Sequence, residues 1–377
     1  MVHVDLGLAR VAAKQRLRVV KPWHTAHGFR NLPGMRQRTV PWRAYLKFLL
    51  QRTFRDTQPI PIPAGHVIPE PIAVGVLDAL ADHDTMTWLG HATFLVRLGG
   101  TTVITDPFLS ARASPFSFLG PRRFVPPGIA RTNLPQIDIV VLSHNHDEHL
   151  DLGTLARLRR RDRITAVVPL GVGRSLAKLG FRHVFELDWY EAVTVAGVTI
   201  TALPAQHWSN ANRTLWMGAA IESPHHRVYF AGDSGYGPTF AETGRRHGPF
   251  DVGLVGIGAY EPRALMAPGH TNPEEAIALA RDMRCRQVVG MRWGTIALGS
   301  EPPFEAPLRF LRAAAAAGYA EDDAMVFRIG ETRILVQRFA GVGSRRARPC
   351  QPIASGPAAP LRAWPRPSTN RVPAALE

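Results

Sequence analysis

Three imidazoles and two carboxylates fall within six residues in the run Ser143-His144-Asn145-His146-Asp147-Glu148-His149. Side-chain nitrogen and oxygen donors gathered around one point are what a metal ion requires. The two histidines at i and i+2 point the same way if the segment is extended. His149 then comes in from the following turn. A lone histidine after a strand is usually a satisfied surface residue. Three of them in six positions, directly after the apolar run Ile137–Leu142, are harder to read that way.

Five other positions could converge on the same point. His207 follows the strand-like Thr199–Leu203, and Asp233 follows Arg227–Phe230 in a loop flanked by Gly232 and Gly235, which permit a tight backbone path. Taken singly, His207 reads as a structural residue; beside the cluster it reads as a ligand. Asp106 and His91 also stand at the ends of strand-like runs, and Asp106 suits an acceptor that orients a histidine ring. His270 precedes a helix start, where a ligand, a substrate contact and a capping neighbour are all open readings.

The elements that must position these residues are legible from their patterning. Thr85–Leu98 and Thr101–Thr105 are β-rich runs separated by Gly99-Gly100, a hairpin signal. Ile137–Ser143 reads as a buried strand. Strands are expected at Ile164–Val168, Val184–Leu187, Ala192–Val195, Thr199–Leu203, Thr214–Ile221, Arg227–Phe230, Val252–Ile257 and Gln287–Met291. Ala324–Ile329 and Thr332–Gln337 read as a closing hairpin. Helices are expected at Leu152–Arg161, Arg174–Leu179, Pro238–Arg246, Pro307–Ala316 and from Asn272 to about Arg284. The last has Asn272 as N-cap, Pro273 next and Glu275 at the third position, a capping-box signature. Mixed strands and helices with both hairpins and crossovers indicate a layered α/β protein.

Residues 1–80 read as an irregular basic leader lying on or beside the core. Short helices are expected at Val11–Val20 and around Pro41–Leu50, and an extended connector at Pro59–Pro71. Residues 81–340 form the main domain. From Gly341 to Glu377 the chain is rich in Arg, Pro, Ala and Ser, which predicts a disordered tail.

The formal charge of +15 suggests nucleic acid until it is divided along the chain. Residues 1–55 hold 12 Lys/Arg against Asp5, and residues 341–377 hold six Arg against Glu377, while the body between them is close to neutral. A basic groove through the body, and so a nucleic-acid partner, is not expected. The basic ends suit solvation or contact with an anionic membrane face. With only Cys285 and Cys350, a disulfide framework and a cysteine-rich zinc site are excluded. No stretch has the length of a signal peptide's apolar core or of a membrane span, so the expected location is the cytoplasm, including the inner face of the membrane.

Eight separated segments together resemble the metallo-β-lactamase fold superfamily. Within it they resemble the branch of N-acyl-phosphatidylethanolamine-hydrolysing phospholipase D. They are Trp88–Phe94, Thr105-Asp106-Pro107, Ser143–His146, Glu186–Trp189, Pro204–Trp208, Tyr229–Tyr236, Gly258–Arg263 and His270–Ala276. The resemblance covers residues 80–335 and implies an αββα sandwich with two zinc ions at the edge between its sheets. His144, His146 and His207 would hold the first ion, with Asp233 bridging. His149 would hold the second, with Asp233 and the acidic position, here Glu148. Lipid-cleaving members attack a phosphodiester with a metal-activated hydroxide, releasing phosphatidic acid and an N-acylethanolamine. Asp233, His270 and Arg292 are candidates for the chemistry, and His270, Tyr260 and Arg292 are candidate substrate contacts.

Two positions depart from the branch, and both belong to the second ion. The acidic position of the motif is Glu148, one methylene longer than the usual aspartate. A histidine ligand expected before Trp293-Gly294-Thr295 is replaced by Arg292. A guanidinium stays protonated and cannot ligate. Arg292 is therefore expected to pair with Glu148 and to fill the second position with fixed positive charge. Zinc is the expected cofactor, one ion or two, with manganese and iron also compatible with the donor set.

The leading functional expectation is a metal-dependent phosphodiesterase of phospholipase D-like type. A hydrolase of another ester or lactone and an inactive metal- or ligand-binding member remain open, as does a homo-oligomer. The apolar run Phe108–Phe124 suits a groove for acyl chains and equally suits ordinary loop packing.

Overall fold

The computed structural model describes residues 21–36, 48, 59–116 and 118–336. The expected leader helix at Val11–Val20, most of that at Pro41–Leu50, and the tail from Gly341 lie outside the described residues. A small ribbon, β1 (His24–Thr25) with β2 (Gly28–Phe29), precedes the main body.

Fourteen strands build two seven-stranded sheets. The first contains β3 (Thr85–Gly90), β4 (Thr93–Leu98), β5 (Thr101–Thr105), β6 (Ile139–Val141), β7 (Thr165–Pro169), β8 (His183–Leu187) and β16 (Thr332–Ile334), in the order β16-β3-β4-β5-β6-β7-β8. The second contains β9 (Ala192–Val195), β10 (Val198–Leu203), β11 (Gly218–Glu222), β12 (Arg227–Phe230), β13 (Phe250–Gly256), β14 (Cys285–Met291) and β15 (Ala324–Met325), in the order β15-β14-β13-β12-β11-β10-β9. With helices on the outer faces this is an αββα sandwich.

The period-2 geometry of a strand divides the first sheet between two cores. Phe94, Val96 and Leu98 of β4, Val103 of β5, Ile139 and Val141 of β6 and Val167 of β7 join the large core shared with the second sheet. Their neighbours Leu95, Ile104, Val140, Ala166 and Val168 join a second core with Ala73, Leu77, Leu155 and Leu176 from the helices behind. Both faces are buried, which is why these strands read as continuous apolar runs rather than alternating ones.

The structure corrects several sequence expectations. The run Thr85–Leu98 is two strands, broken at the left-handed His91 (φ 53°). The expected closing hairpin does not form among the described residues 324–336. β15 pairs with β14 in the second sheet and β16 pairs with β3 in the first, so the chain crosses between sheets. The left-handed Gly330 (φ 88°) makes the turn, against Gly128, where an added Cβ would lie 2.6 Å from Gly330 Cα. The leader is not irregular throughout: Glu70–Ala79 is a helix with proline in its first turn, burying Ala73 and Leu77. The proline density around it obscures its apolar spacing. The helix after the histidine cluster is limited to Leu152–Leu155, capped by Asp151 accepting from Thr154 N–H. The segment 107–136, which the sequence reads as a long surface loop rich in Pro, Gly and Phe, buries Phe108, Val125, Ile129 and Leu134. No helix among the described residues is long and apolar enough to cross a membrane.

Candidate metal centre

The strands explain why residues distant in sequence meet. β5 and β6 are parallel, and β3, two antiparallel steps from β5, runs with them. β12, β13 and β14 are parallel, and β10, two antiparallel steps from β12, runs with those. The C-terminal ends of these strands carry His91, Asp106, His144, His207, Asp233 and Arg292. One edge of the sandwich therefore collects the candidates that the sequence scatters over some 200 positions.

Three ring nitrogens face one another there. His144 Nε2 lies 2.9 Å from His146 Nδ1, and His207 Nε2 lies 3.2 Å from the same atom. Asp233 Oδ2 stands 3.7 Å from His144 Nε2 and 3.8 Å from His207 Nε2. A tetrahedral ion with bonds of about 2.0–2.1 Å has ligand–ligand edges of about 3.3 Å. The observed edges bracket that value.

Hydrogen bonds behind the rings fix which nitrogens are bare. Ser143 Oγ donates to Asp106 Oδ2 at 2.6 Å, so at 2.8 Å it accepts from His144 Nδ1–H. His207 Nδ1–H donates to the Gly269 carbonyl at 3.0 Å. In both neutral rings the lone pair on Nε2 is left facing the centre. Burial holds His144 and His207 well below the ordinary imidazole range, so both are neutral. The Asp233 carboxylate is 3% exposed; its Oδ1 is ion-paired with Arg292 Nε at 2.6 Å, and its Oδ2 lies 3.1 Å from His149 Nε2 and faces the other imidazoles. A buried carboxylate oxygen gathered with three imidazole nitrogens, all within 4.8 Å of one another, fits a divalent cation. The donor set does not choose among zinc, manganese and iron.

The neighbouring position is arranged differently. His149 Nδ1 donates to Asp106 Oδ2 at 2.6 Å, and its Nε2 lies 3.1 Å from Asp233 Oδ2. Burial disfavours a charged ring, yet Asp233 and Asp106 on either side push His149 up to about 10. Glu148, His149 and Asp233 bring three donor atoms within 4.8 Å of one another. Arg292 reaches into the same space. Its Nε is 2.6 Å from Asp233 Oδ1, its Nη2 is 3.4 Å from Glu148 Oε1, and its Nη1 is 2.9 Å from His270 Nδ1. The contact expected with Glu148 is present, but the shorter one is to Asp233. Burial opposes ionisation of Asp233, yet Arg292 and His149 hold its carboxyl well below the usual carboxylate range.

A guanidinium only donates, so His270 Nδ1 is an acceptor and its ring proton sits on Nε2. His270 is 7% exposed and is held by its N–H donating to the Met266 carbonyl, two residues before the Asn272 cap. Arg292 itself has φ 71°, and its N–H donates to the His91 carbonyl at 3.0 Å. His91 is fully buried, with neither ring nitrogen hydrogen-bonded. Its ring packs 5.1 Å from that of His149. Left-handed non-glycine residues at His91, Asp106 and Arg292 concentrate backbone strain at this edge.

Tyr260 stands apart from the cluster. It is buried, with the Arg309 guanidinium 4.8 Å from its ring centroid. Three contributors escaped sequence reasoning. Ser143 links His144 to Asp106, the Gly269 carbonyl orients His207, and Trp208 stacks on His207 at 4.5 Å. Ser143 and Trp208 lie inside the family-like segments, but nothing in their types announced these roles.

The family described as the Beta-lactamase superfamily domain matches residues 101–293, just over half of the chain. The chain belongs to the metallo-β-lactamase superfamily. Among curated relatives of this metallo-β-lactamase-fold chain, an uncharacterized protein of Mycobacterium tuberculosis is 40% identical over 238 residues, 61% of this chain and 63% of that protein. N-acyl-phosphatidylethanolamine-hydrolyzing phospholipase D 1 of Caenorhabditis elegans is 40% identical over 230 residues, 57% of this chain and 65% of that protein. The chain thus spans a little under two thirds of each relative's length. A possible metal-dependent hydrolase from Veillonella parvula superposes with a TM-score of 0.54 at 18% identity, over 67% of this chain and 100% of that one, a likeness of fold.

Proposed function

We propose that this metallo-β-lactamase-fold chain is a metal-dependent phosphodiesterase acting on a phospholipid-like substrate. The observation that carries the reading is the convergence of His144, His146 and His207 ring nitrogens with the buried carboxylate of Asp233, in a chain 40% identical to a phospholipase D over the same region. His144, His146, His207 and Asp233 would hold the ion. A bound divalent cation there supplies a water of lowered pKa and stabilises negative charge at the attacked phosphorus.

The overall reaction adds water across a P–O bond, releasing an alcohol and a phosphomonoester. The chain's own residues have distinct parts in it. Asp233 sits as an anion within reach of His144, His207 and Arg292. Its buried carboxylate orients what binds between the two sides of the centre. His270, with its proton on Nε2, is a neutral donor suited to a phosphoryl or leaving-group oxygen. Arg292 adds fixed positive charge suited to an oxyanion. The centre opens on the side of His146 and Glu148, which are partly exposed while His144 and His149 are buried. The loop leaving β5 at the same edge bears Phe116, Phe118 and Leu119, which are 54%, 78% and 60% exposed. Exposed apolar residues on that loop support a lipid substrate over a compact polar one.

The test is turnover of N-acyl-phosphatidylethanolamine by metal-loaded protein, followed by mass spectrometry of both products. Release of a phosphatidic acid and an N-acylethanolamine is expected, with loss of turnover in His144→Ala and His207→Ala. Hydrolysis of a soluble ester or lactone with none of the lipid would replace the lipid reading. Failure on every substrate by fully loaded protein would leave a binding protein.

A further inference from the structure

We infer that the Arg292 side chain is a built-in cation standing in the place of a second metal ion, so that this centre takes one divalent ion and refuses another. The inference rests on the reading that His144, His146, His207 and Asp233 hold a metal. It concerns the adjoining position, where Glu148, His149 and Asp233 still bring three donors together.

Those three donors alone would make a serviceable site, and charge argues against it. Arg292 is 4% exposed, and its guanidinium meets both carboxylates, Asp233 at 2.6 Å and Glu148 at 3.4 Å. An ion held by the same carboxylates would lie within a few ångströms of a group that cannot give up its proton. In a buried setting that repulsion is poorly screened. Nor can the side chain easily withdraw. Its backbone N–H is tied to the His91 carbonyl, its carbonyl is packed so closely against Gly258 that a Cβ there would meet it at 2.2 Å, and its third nitrogen group is spent on His270 Nδ1.

The same arrangement accounts for the length of Glu148. A guanidinium occupies more room than a bare ion, and its Nη2 is displaced from the Asp233 carboxylate by the width of the group. The extra methylene of glutamate over aspartate suits that spacing. Arg292 also performs a second task that an ion would not perform in this way. By donating to His270 Nδ1 it commits the His270 proton to Nε2, and it does so without changing occupancy as the metal supply changes.

Metal counting decides the matter without reference to activity. Purified full-length protein is equilibrated with excess zinc, and separately manganese, then desalted and measured by elemental analysis. Cobalt titration followed by absorbance is run in parallel. One ion per chain is expected, with the cobalt spectrum saturating at one equivalent. Two ions per chain in the unmodified protein overturn the inference, whether or not the protein hydrolyses a phosphodiester. No bound ion overturns both this inference and the metal-centre reading. One ion with no hydrolysis leaves the inference standing and removes the proposed function. The variant Arg292→His, alone and combined with Glu148→Asp, is expected to raise the count from one to two. A folded double variant that stays at one also overturns the inference. Should neither variant fold, the count on the unmodified protein decides alone.

Discussion

At Gly232 the chain passes between the two halves of the centre with φ 58°, and a Cβ built there would lie 2.6 Å from Ser143 Cβ and 2.9 Å from the Met217 carbonyl. The loop that presents Asp233 thus presses on the residue that orients His144. Gly232→Ala should destabilise the fold by about 1–3 kcal/mol, from overpacking and left-handed strain together. Metal content should fall as well, because Ser143 and Asp233 are displaced from each other. Urea unfolding and elemental analysis of one preparation would check both; unchanged metal content would show that the loop adapts. The relay from His144 through Ser143 to Asp106 makes a second claim at this scale. Ser143→Ala removes the acceptor for His144 Nδ1–H and leaves that group buried and unpaired. Metal affinity should drop by about 10–100-fold, the usual effect of losing an orienting partner. Competition against a chromophoric chelator measures it, and affinity equal to the unmodified protein would deny Ser143 the role.

Among the elements, the helix Pro273–Asp282 shows a sequence signature realised in full. Asn272 accepts from Glu275 N–H at 2.8 Å, and Glu275 accepts from Asn272 N–H at 3.3 Å. Arg263 also donates to Glu275 at 2.6 Å and to the His270 carbonyl at 3.0 Å, so the capping box is coupled to the segment that holds His270. Asn272→Ala should cost about 1 kcal/mol of stability. It should leave metal content unchanged, since the cap touches no ligand. A drop in metal content would mean that the helix start sets the ligand geometry after all.

For the molecule as a whole, the described leader segment is tied to the body at several points, three of them converging on one carboxylate. Lys21 Nζ, Trp23 Nε1 and His24 Nε2 each lie 2.7 Å from Asp188, in the turn between the sheets. Burial raises the Asp188 carboxyl, but hydrogen bonds from Lys21, Trp23 and His24 outweigh it and hold the group below its ordinary value. A depressed folded-state value means that the stabilisation is fully present above the unfolded carboxylate value of about 3.9 and is lost as pH falls through the folded value. The stability gap between the unmodified protein and Asp188→Asn should therefore be constant from pH 8 to about 5 and close at lower pH. Denaturant unfolding at several pH values tests this. A gap that stays constant down to pH 2 would deny Asp188 the role. The variant should also expose residues 21–36 to limited proteolysis.

The sequence by itself determined the layered α/β class, most strand positions and the candidate donor residues, because these depend on local patterning. Apolar runs mark strands buried on both faces, and the Asn272-Pro273-Glu274-Glu275 start is a local hydrogen-bond solution. His144 and His146 stand two residues apart after a strand, a placement that needs little tertiary help. What depends on contacts between distant segments was decided only in three dimensions. The run 324–337 divides between two sheets because β14 and the exposed edge of β3 compete for its halves. His91 breaks a strand that looks continuous in one dimension. Ser143 and the Gly269 carbonyl acquire their roles only when loops from different strands meet. Arg292 could be read as charge at an altered ligand position. That its shortest contact is to Asp233, and that it also sets the His270 tautomer, follows from four strand ends meeting at one buried edge, where a fixed cation must find every anion and acceptor within reach.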